Sequence, residues 1–329
     1  PPEFSGVVVP AMSVRMVDVA ALVTVRDHVV ITVTTRSGLV VAEQVEASGP
    51  DSNLPGSLVT TLGAPAAQPS WYFPLSAPTN PDDGSEFTDQ QYVVFNPGTA
   101  IAEVDVQLLV NDPATNGFIE PFEATVRPGQ FVVVDLADEA RVPDGAGFGA
   151  YVESRNGVPV VAARVLRASD RAQSGASISI GTPLLATEWV VPLGGMRSGD
   201  GAQVGISNMG LRDAEVTVTI ISGGSRRVLA DANARVVGAG TRLELDLADV
   251  DDPGDVSLLI ESTQPVAVER GLVFTAGRGF AMATAIALAG TLSRPQTAVP
   301  DTSTSPTVVL DGLTTTTTTV PATTTTLTG

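Results

Sequence analysis

The sequence contains no cysteine and a single histidine, His28. Without cysteine there is no disulfide, no thiolate metal site and no cysteine nucleophile. A lone imidazole makes His28 the sole candidate base for a Ser-His-Asp arrangement and excludes a zinc site built on several histidines. It opens a strand-like run, RDHVVITV, with no serine or carboxylate signature beside it, and a structural role is expected. Aromatic residues make up 5% of the chain, with two Trp and three Tyr, which is sparse for a sugar-stacking surface. Basic residues are also few: Lys and Arg number 18 against 36 Asp and Glu, for a net charge of -18 and a pI near 4.3. Such a surface repels phosphate backbones and anionic headgroups, so neither nucleic acid nor a lipid surface is an expected partner. No long hydrophobic run exists either. Phe280 to Leu292, Ala-rich and 13 residues long, falls short of the roughly 20 that a membrane-spanning helix needs. The chain opens at Pro1 without a charged, then apolar, leader pattern, so any export signal is expected upstream.

What is present is β-forming. The hydrophobic fraction is 43%, drawn mainly from Val, Ala, Leu and Ile, and 32 Gly with 24 Pro punctuate the apolar runs. This composition disfavours long helices. Two punctuation marks organise the middle of the chain, YVVFNPG (Tyr92 to Gly98) and RPGQFVVVDLAD (Arg127 to Asp138). Each returns one module later, as VGISNMG (Val204 to Gly210) and GAGTRLELDLAD (Gly238 to Asp249), offset by 112 and 111 positions. The chain therefore reads as a tandem repeat.

Alternation gives the strands a wet and a dry face. Val104, Val106, Leu108 and Val216, Val218, Ile220 share one phase, as do Val132, Val134, Leu136 and Leu243, Leu245, Leu247. Asp105, Gln107, Thr217, Thr219, Arg242, Glu244 and Asp246 fill the other. A hairpin is predicted three times, at His28 to Val45, Phe148 to Val165 and Val256 to Val273, around Arg36-Ser37-Gly38, Arg155-Asn156-Gly157 and Thr263-Gln264. A further strand then leads to Trp71 and Trp189, each eight positions after a glycine and each expected to plug a core. Units of about 110 residues with short strands and one wet face per sheet predict all-β, tandem Ig-like β-sandwich domains. The expected division is 1–66, the back half of a repeat; 67–183 and 184–300, two full repeats; and 301–329, a disordered Thr-rich C-terminal stalk suited to O-glycosylation. The half repeat is expected to leave one sheet face exposed or covered by the next unit.

Candidate chemistry is thin. Asp82, Asp83, Glu86 and Asp89 form one acidic loop, and Asp246, Asp249, Asp251, Asp252 and Asp255 another. Asp249, Asp251, Asp252 and Asp255 are the calcium candidates, against the simpler reading of solvated turns and Asx caps. Pro253 and Ile260 break the EF-hand pattern. No organic cofactor is implied. The glycine clusters GAGFGA (Gly145 to Ala150) and GGMRSGDG (Gly194 to Gly201) lack the strand-to-helix setting and the lysine of a phosphate loop and read as turns. Arg164 and Arg270 match between copies, Gln44 standing in the first, and read as outward rungs of a strand.

The motifs Trp189-Val-Val-Pro192, Asn96-Pro97-Gly98, Arg127-Pro128-Gly129, and Pro159 to Arg164 with its counterpart Pro265 to Arg270, resemble a family of secreted actinobacterial proteins of unknown function built from repeated β-sandwich units. The resemblance covers about 67–300 and, in part, the first 66 residues. It implies export to the envelope or beyond and no catalytic residue. The expectation is a non-enzymatic extracellular or cell-surface protein, a rod of sandwiches for structure or adhesion, whose partner is an envelope or extracellular protein or glycan. The alternative is a carbohydrate-binding module using Tyr72, Tyr92 or Tyr151.

Overall fold

A computed structural model describes residues 4–23, 28–48, 57–76, 89–110, 119–137, 139, 141–142, 147–169, 174–195, 200–247, 255–274, 279–288 and 292–293. The chain divides into two compact units, Pro1–Thr34 and Thr35–Gly329. The described part of the first carries no strand. Its Val8, Met12, Val14 and Met16 are exposed, and a turn is closed by the Leu22 and Val23 amides on the Val19 carbonyl.

The second unit is all-β, and its sheets are antiparallel. It begins with a hairpin of β1 (Glu43–Ser48) and β2 (Ser57–Leu62). Eight strands follow: β3 (Ser70–Phe73), β4 (Asp89–Phe95), β5 (Ala102–Val110), β6 (Phe122–Val126), β7 (Phe131–Asp135), β8 (Phe148–Ser154), β9 (Val161–Ser169) and β10 (Ser174–Ile180). They form two sheets of order β3-β8-β5-β6 and β10-β9-β4-β7. Trp71, Val104, Val106 and Val152 of one sheet meet Tyr92, Val94 and Ala162 of the other in a single core, which makes a sandwich.

The same order recurs in a second sandwich. Here β11 (Leu185–Gly195), β12 (Gly201–Asn208), β13 (Ala214–Ser222), β14 (Ser225–Val228), β15 (Arg235–Val237), β16 (Thr241–Asp246), β17 (Asp255–Phe274) and β18 (Gly279–Thr284) are followed by the short β19 (Ile286–Ala287) and β20 (Leu292–Ser293). The first half of β17 pairs with β11 and β13, and its second half with β12 and β18. One strand thus crosses from sheet to sheet. In the first sandwich the equivalent chain is β8 and β9, which belong to different sheets.

This corrects the predicted hairpins. The runs Phe148 to Val165 and Val256 to Val273 do not fold back on themselves but step across the core, and the real hairpins are β9 with β10 and β17 with β18. Two β runs around a short turn carry the same local signal in both cases. What decides is that each run finds partners in a separate sheet. The first predicted hairpin differs again: described residues before Glu43 carry no strand, and the strand that forms there pairs onward with β2.

The two punctuation marks turn out to close on each other. Asn96 is buried, its Nδ2 donates to the carbonyls of Ala100 (2.7 Å) and Val126 (2.9 Å), and its Oδ1 accepts from the Gly98 amide at 2.9 Å. Its carbonyl accepts from the Gly129 amide at 2.8 Å. Asn208 repeats this with Arg212 O (2.8 Å), Val237 O (3.0 Å), Gly210 N (3.0 Å) and Gly240 N (2.9 Å). Gly129 and Gly240 both sit at φ 67, a left-handed conformation that glycine adopts without strain. Trp71 and Trp189 plug the two cores as expected, with Nε1 donating to Val160 O (2.7 Å) and Val266 O (3.0 Å).

Candidate functional site

The most developed polar constellation lies where the two sandwiches meet. β9 presents Arg164 in the phase of Val160, Ala162 and Leu166, all buried, so its side chain turns toward the core end and not outward as the sequence reading had it. β17 brings Glu269, and the segment leaving β3 brings Pro74, Leu75 and Ser76. Arg164 and Glu269 are both fully buried, with Arg164 Nη2 2.5 Å from Glu269 Oε1 and Nη1 3.2 Å from Oε2.

The pair brackets the backbone of one residue. Leu75 N donates to Glu269 Oε2 at 3.1 Å, the Leu75 carbonyl accepts from Arg164 Nη1, and Arg164 Nη2 also reaches Ser179 Oγ at 3.0 Å. Two charges so far from water are tolerable when paired and hydrogen-bonded in this way.

Further contacts pin the same segment. Arg242 on β16, read from sequence as a wet-face residue, is 5% exposed and donates from Nη1 to the Pro74 carbonyl at 2.9 Å. Its Nη2 pairs with Glu244. Burial lowers the Arg242 pKa to about 10. Gly205 on β12 faces the segment so closely that a Cβ would stand 2.7 Å from Pro74 O and Leu75 Cγ. Gly149, in the cluster read as a turn, is the second residue of β8, its would-be Cβ 2.9 Å from the carbonyls of Phe73 and Pro74. Around the ion pair, Leu75 and Leu166 pack on Val273, Phe280 and Met282.

The three tyrosines named for glycan contact are committed elsewhere. Tyr72 stacks on Tyr151 with centroids 5.3 Å apart and planes 8° from parallel, and it packs with Leu185 and Ala267. Tyr92 is fully buried, edge-on to Phe73 at 5.2 Å. Burial raises all three hydroxyls above their ordinary pKa, Tyr92 to about 12. For Tyr151 a hydrogen bond with Glu153 adds to this.

An open cleft of about 820 Å³ runs along β6 and β7, lined by Glu120, Phe122, Glu123, Val134, Asp135 and Arg141. The Arg141 guanidinium lies 3.8 Å over the Phe122 ring and 3.0 Å from Glu139. That contact lowers the Glu139 pKa and raises that of Arg141. Asp135 is held by Gln91 Nε2 at 2.8 Å and the Ala137 amide at 2.9 Å.

Of the calcium candidates, Asp255 begins β17 in solvent, as Asp246 ends β16. Asp249, Asp251 and Asp252 lie outside the described residues, as do Asp82, Asp83 and Glu86 and the Thr-rich stretch 301–329. Asp89 pairs with Arg167 at 2.9 Å. Among the described residues no group of His, Asp or Glu is arranged to hold a metal, and no helix is long and apolar enough to cross a membrane. His28 lies in the first compact unit, outside any strand.

No curated protein matches the chain. Among solved structures it is similar to Thermotoga maritima 1070, at 21% identity and a TM-score of 0.28 over 36% of this chain and 96% of that one. It also matches the tandem CBM22-1-CBM22-2 domain of Paenibacillus barcinonensis Xyn10C, at 12% identity and a TM-score of 0.17 over 70% and 87%. A Pleurotus ostreatus lectin solved with GalNAc aligns at 12% identity and a TM-score of 0.11, over 69% and 84%. Such low scores carry no functional argument. The match that places the protein covers residues 55–329, and by it the chain belongs to the family of unknown function DUF5719.

Proposed function

We propose that the protein is a non-enzymatic structural or adhesion protein of the cell envelope or the extracellular space, exported and built as serial β-sandwich modules. One observation carries this reading: the buried constellation of Arg164, Glu269 and the Leu75 backbone holds one module to the next and has no access to solvent. A reaction centre must admit a substrate; a joint must exclude water. The acidic surface and the Thr-rich stretch 301–329 suit a crowded exterior setting, and the partner is an envelope or extracellular protein. The carbohydrate-binding alternative keeps only Tyr151 of its three named aromatics at the surface, since Tyr72 and Tyr92 are buried.

The test is made in a strain lacking the protein. Surface proteolysis of the wild-type strain should cleave the protein in intact cells. Envelope or adhesion defects of the deletion strain should be rescued equally by the wild type and by Glu120→Gln/Asp135→Asn, which neutralises two of the three carboxylates lining the cleft. Hydrolysis of envelope polysaccharide by the purified protein, lost in that double variant, would overturn the proposal.

A further inference from the structure

The joint between the sandwiches is centred on one rung of the second. Val204 and Ile206 of β12 face that sandwich's core, so Gly205 between them faces outward, and Glu269 of β17 is its partner across the ladder. Glu244 of β16 flanks Gly205 on its other side, and Thr284 of β18 flanks Glu269. The rung therefore sets a notch with no side chain beside a fully buried carboxylate. Both features receive the same two residues of the first sandwich. A Cβ on Gly205 would stand 2.7 Å from Pro74 O and Leu75 Cγ, and the Leu75 amide donates to Glu269 Oε2 at 3.1 Å.

The apolar part of the joint does not by itself choose this rung. Leu75 and Leu166 pack on Val273, Phe280 and Met282, and hydrophobic contact has no direction. With Val266, Val268 and Leu272 turned to the core, the outward positions of β17 run Ala267, Glu269, Gly271, Val273. A slip of the first sandwich by two residues, about 7 Å along the strand, would still meet small or aliphatic side chains. What a slip forfeits is polar. Arg164 and Glu269 would each be left buried without the other, which is the expensive outcome for an ion. Pro74 would meet Gln203 or Ser207 in place of the glycine. Two more directional bonds favour the observed position: Arg242, opposite Ser207 on the next rung, donates to Pro74 O at 2.9 Å, and the Met282 amide donates to Ser177 Oγ of β10 at 3.2 Å.

We infer that Gly205 and Glu269, partners on this one rung, form a register lock with Arg164: they fix a single docked position of the two sandwiches, and the ion pair serves to exclude neighbouring positions more than to add net stability. Arg164 and Glu269 are in this sense positioning residues. A buried polar contact that selects one register among several apolar ones is the use for which such pairs are best suited. The two sandwiches then move as one body, and whatever they carry is presented at a fixed relative orientation. The inference stands on the geometry of the joint and is independent of what the protein binds.

The absence of cysteine makes the test direct. Thr125→Cys on β6 and Arg227→Cys on β14, both exposed, place one spin label on each sandwich of the full chain, and pulsed dipolar electron paramagnetic resonance reads the distance between them. The labelled parent is expected to give one narrow distance. Arg164→Met with Glu269→Leu keeps the joint apolar and should broaden that distance or add a population displaced by up to ~7 Å, the length of a two-residue slip, with circular dichroism unchanged. Gly205→Ala fills the notch, leaves both charges in place and should displace the distance too; it decides the matter should the double variant not fold. Leu166→Ala is the control for packing alone: it should lower the unfolding free energy and leave the distance single and narrow. Three results would each overturn the inference: a broad distance in the parent, a folded lock variant that keeps the parent's distance, or Leu166→Ala broadening it as much as the lock variants do.

Discussion

Arg164 of the first sandwich and Glu269 of the second meet side chain to side chain at a fully buried contact, with the Leu75 backbone held between them by its amide and its carbonyl. Coulomb attraction alone does not justify such a pair, because each ion loses its water. The peptide groups of Leu75 and the Ser179 hydroxyl supply the extra hydrogen bonds.

Removing one partner should therefore be far worse than removing both. Arg164→Met alone leaves a buried carboxylate and is expected to cost about 3–5 kcal/mol. Arg164→Met with Glu269→Leu should recover most of that loss. Urea unfolding of the two single variants and the double variant checks it through the coupling term.

Asn96 and Asn208 make the same set of hydrogen bonds in separate sandwiches. Alanine at either position strands buried carbonyls and an amide, at a cost of roughly 2–3 kcal/mol each. The two losses should add, because the sites share no partner. Thermal unfolding of the single variants and the double variant measures both claims.

Two glycines should respond to alanine for different reasons. Gly205→Ala drives a Cβ into Pro74 and Leu75 and is expected to cost about 1–3 kcal/mol by overpacking the joint. Gly240→Ala meets no atom but forces a side chain onto φ 67, for about 1–2 kcal/mol. Proteolysis between the sandwiches should increase only for Gly205→Ala, since only that substitution disturbs their contact.

Alkaline pH should destabilise the fold. Tyr92 has its folded-state pKa raised from 10.0 to about 12. Its contribution is therefore whole below pH 10 and is lost as pH climbs through that window, where the unfolded state releases the proton and the folded state keeps it. Tyr72 and Tyr151 shift in the same direction. Arg242, lowered by burial to about 10, acts oppositely in the same range, because there the unfolded chain binds more protons. Three groups against one give net loss, and Tyr92→Phe should flatten the decline in unfolding free energy measured from pH 9 upward.

Much of this architecture was legible in the chain. The phases of Val104, Val106, Leu108 and of Val216, Val218, Ile220 gave buried faces where the strands have them, and Trp71 and Trp189 were read as core plugs. The repeated Asn and Gly marks were visible, but not that they bond to each other, because the residues joined lie about 30 positions apart. Arg164 offered an overlooked signal: it stands in the dry phase of its own strand, after Val160 and Ala162, where a charge needs a partner.

Sequence alone determined the β class, the recurrence of its marks and the faces of its strands, since alternation and turn chemistry act between near neighbours. Only the tertiary structure decided that β17 passes from one sheet to the other, that the runs around Asn156 and Thr263 are crossings and not hairpins, and that Glu269 answers Arg164. Strand partners and buried counter-charges are chosen by surfaces that come together late and from far apart in the chain, and a local pattern looks the same whichever partner it finds.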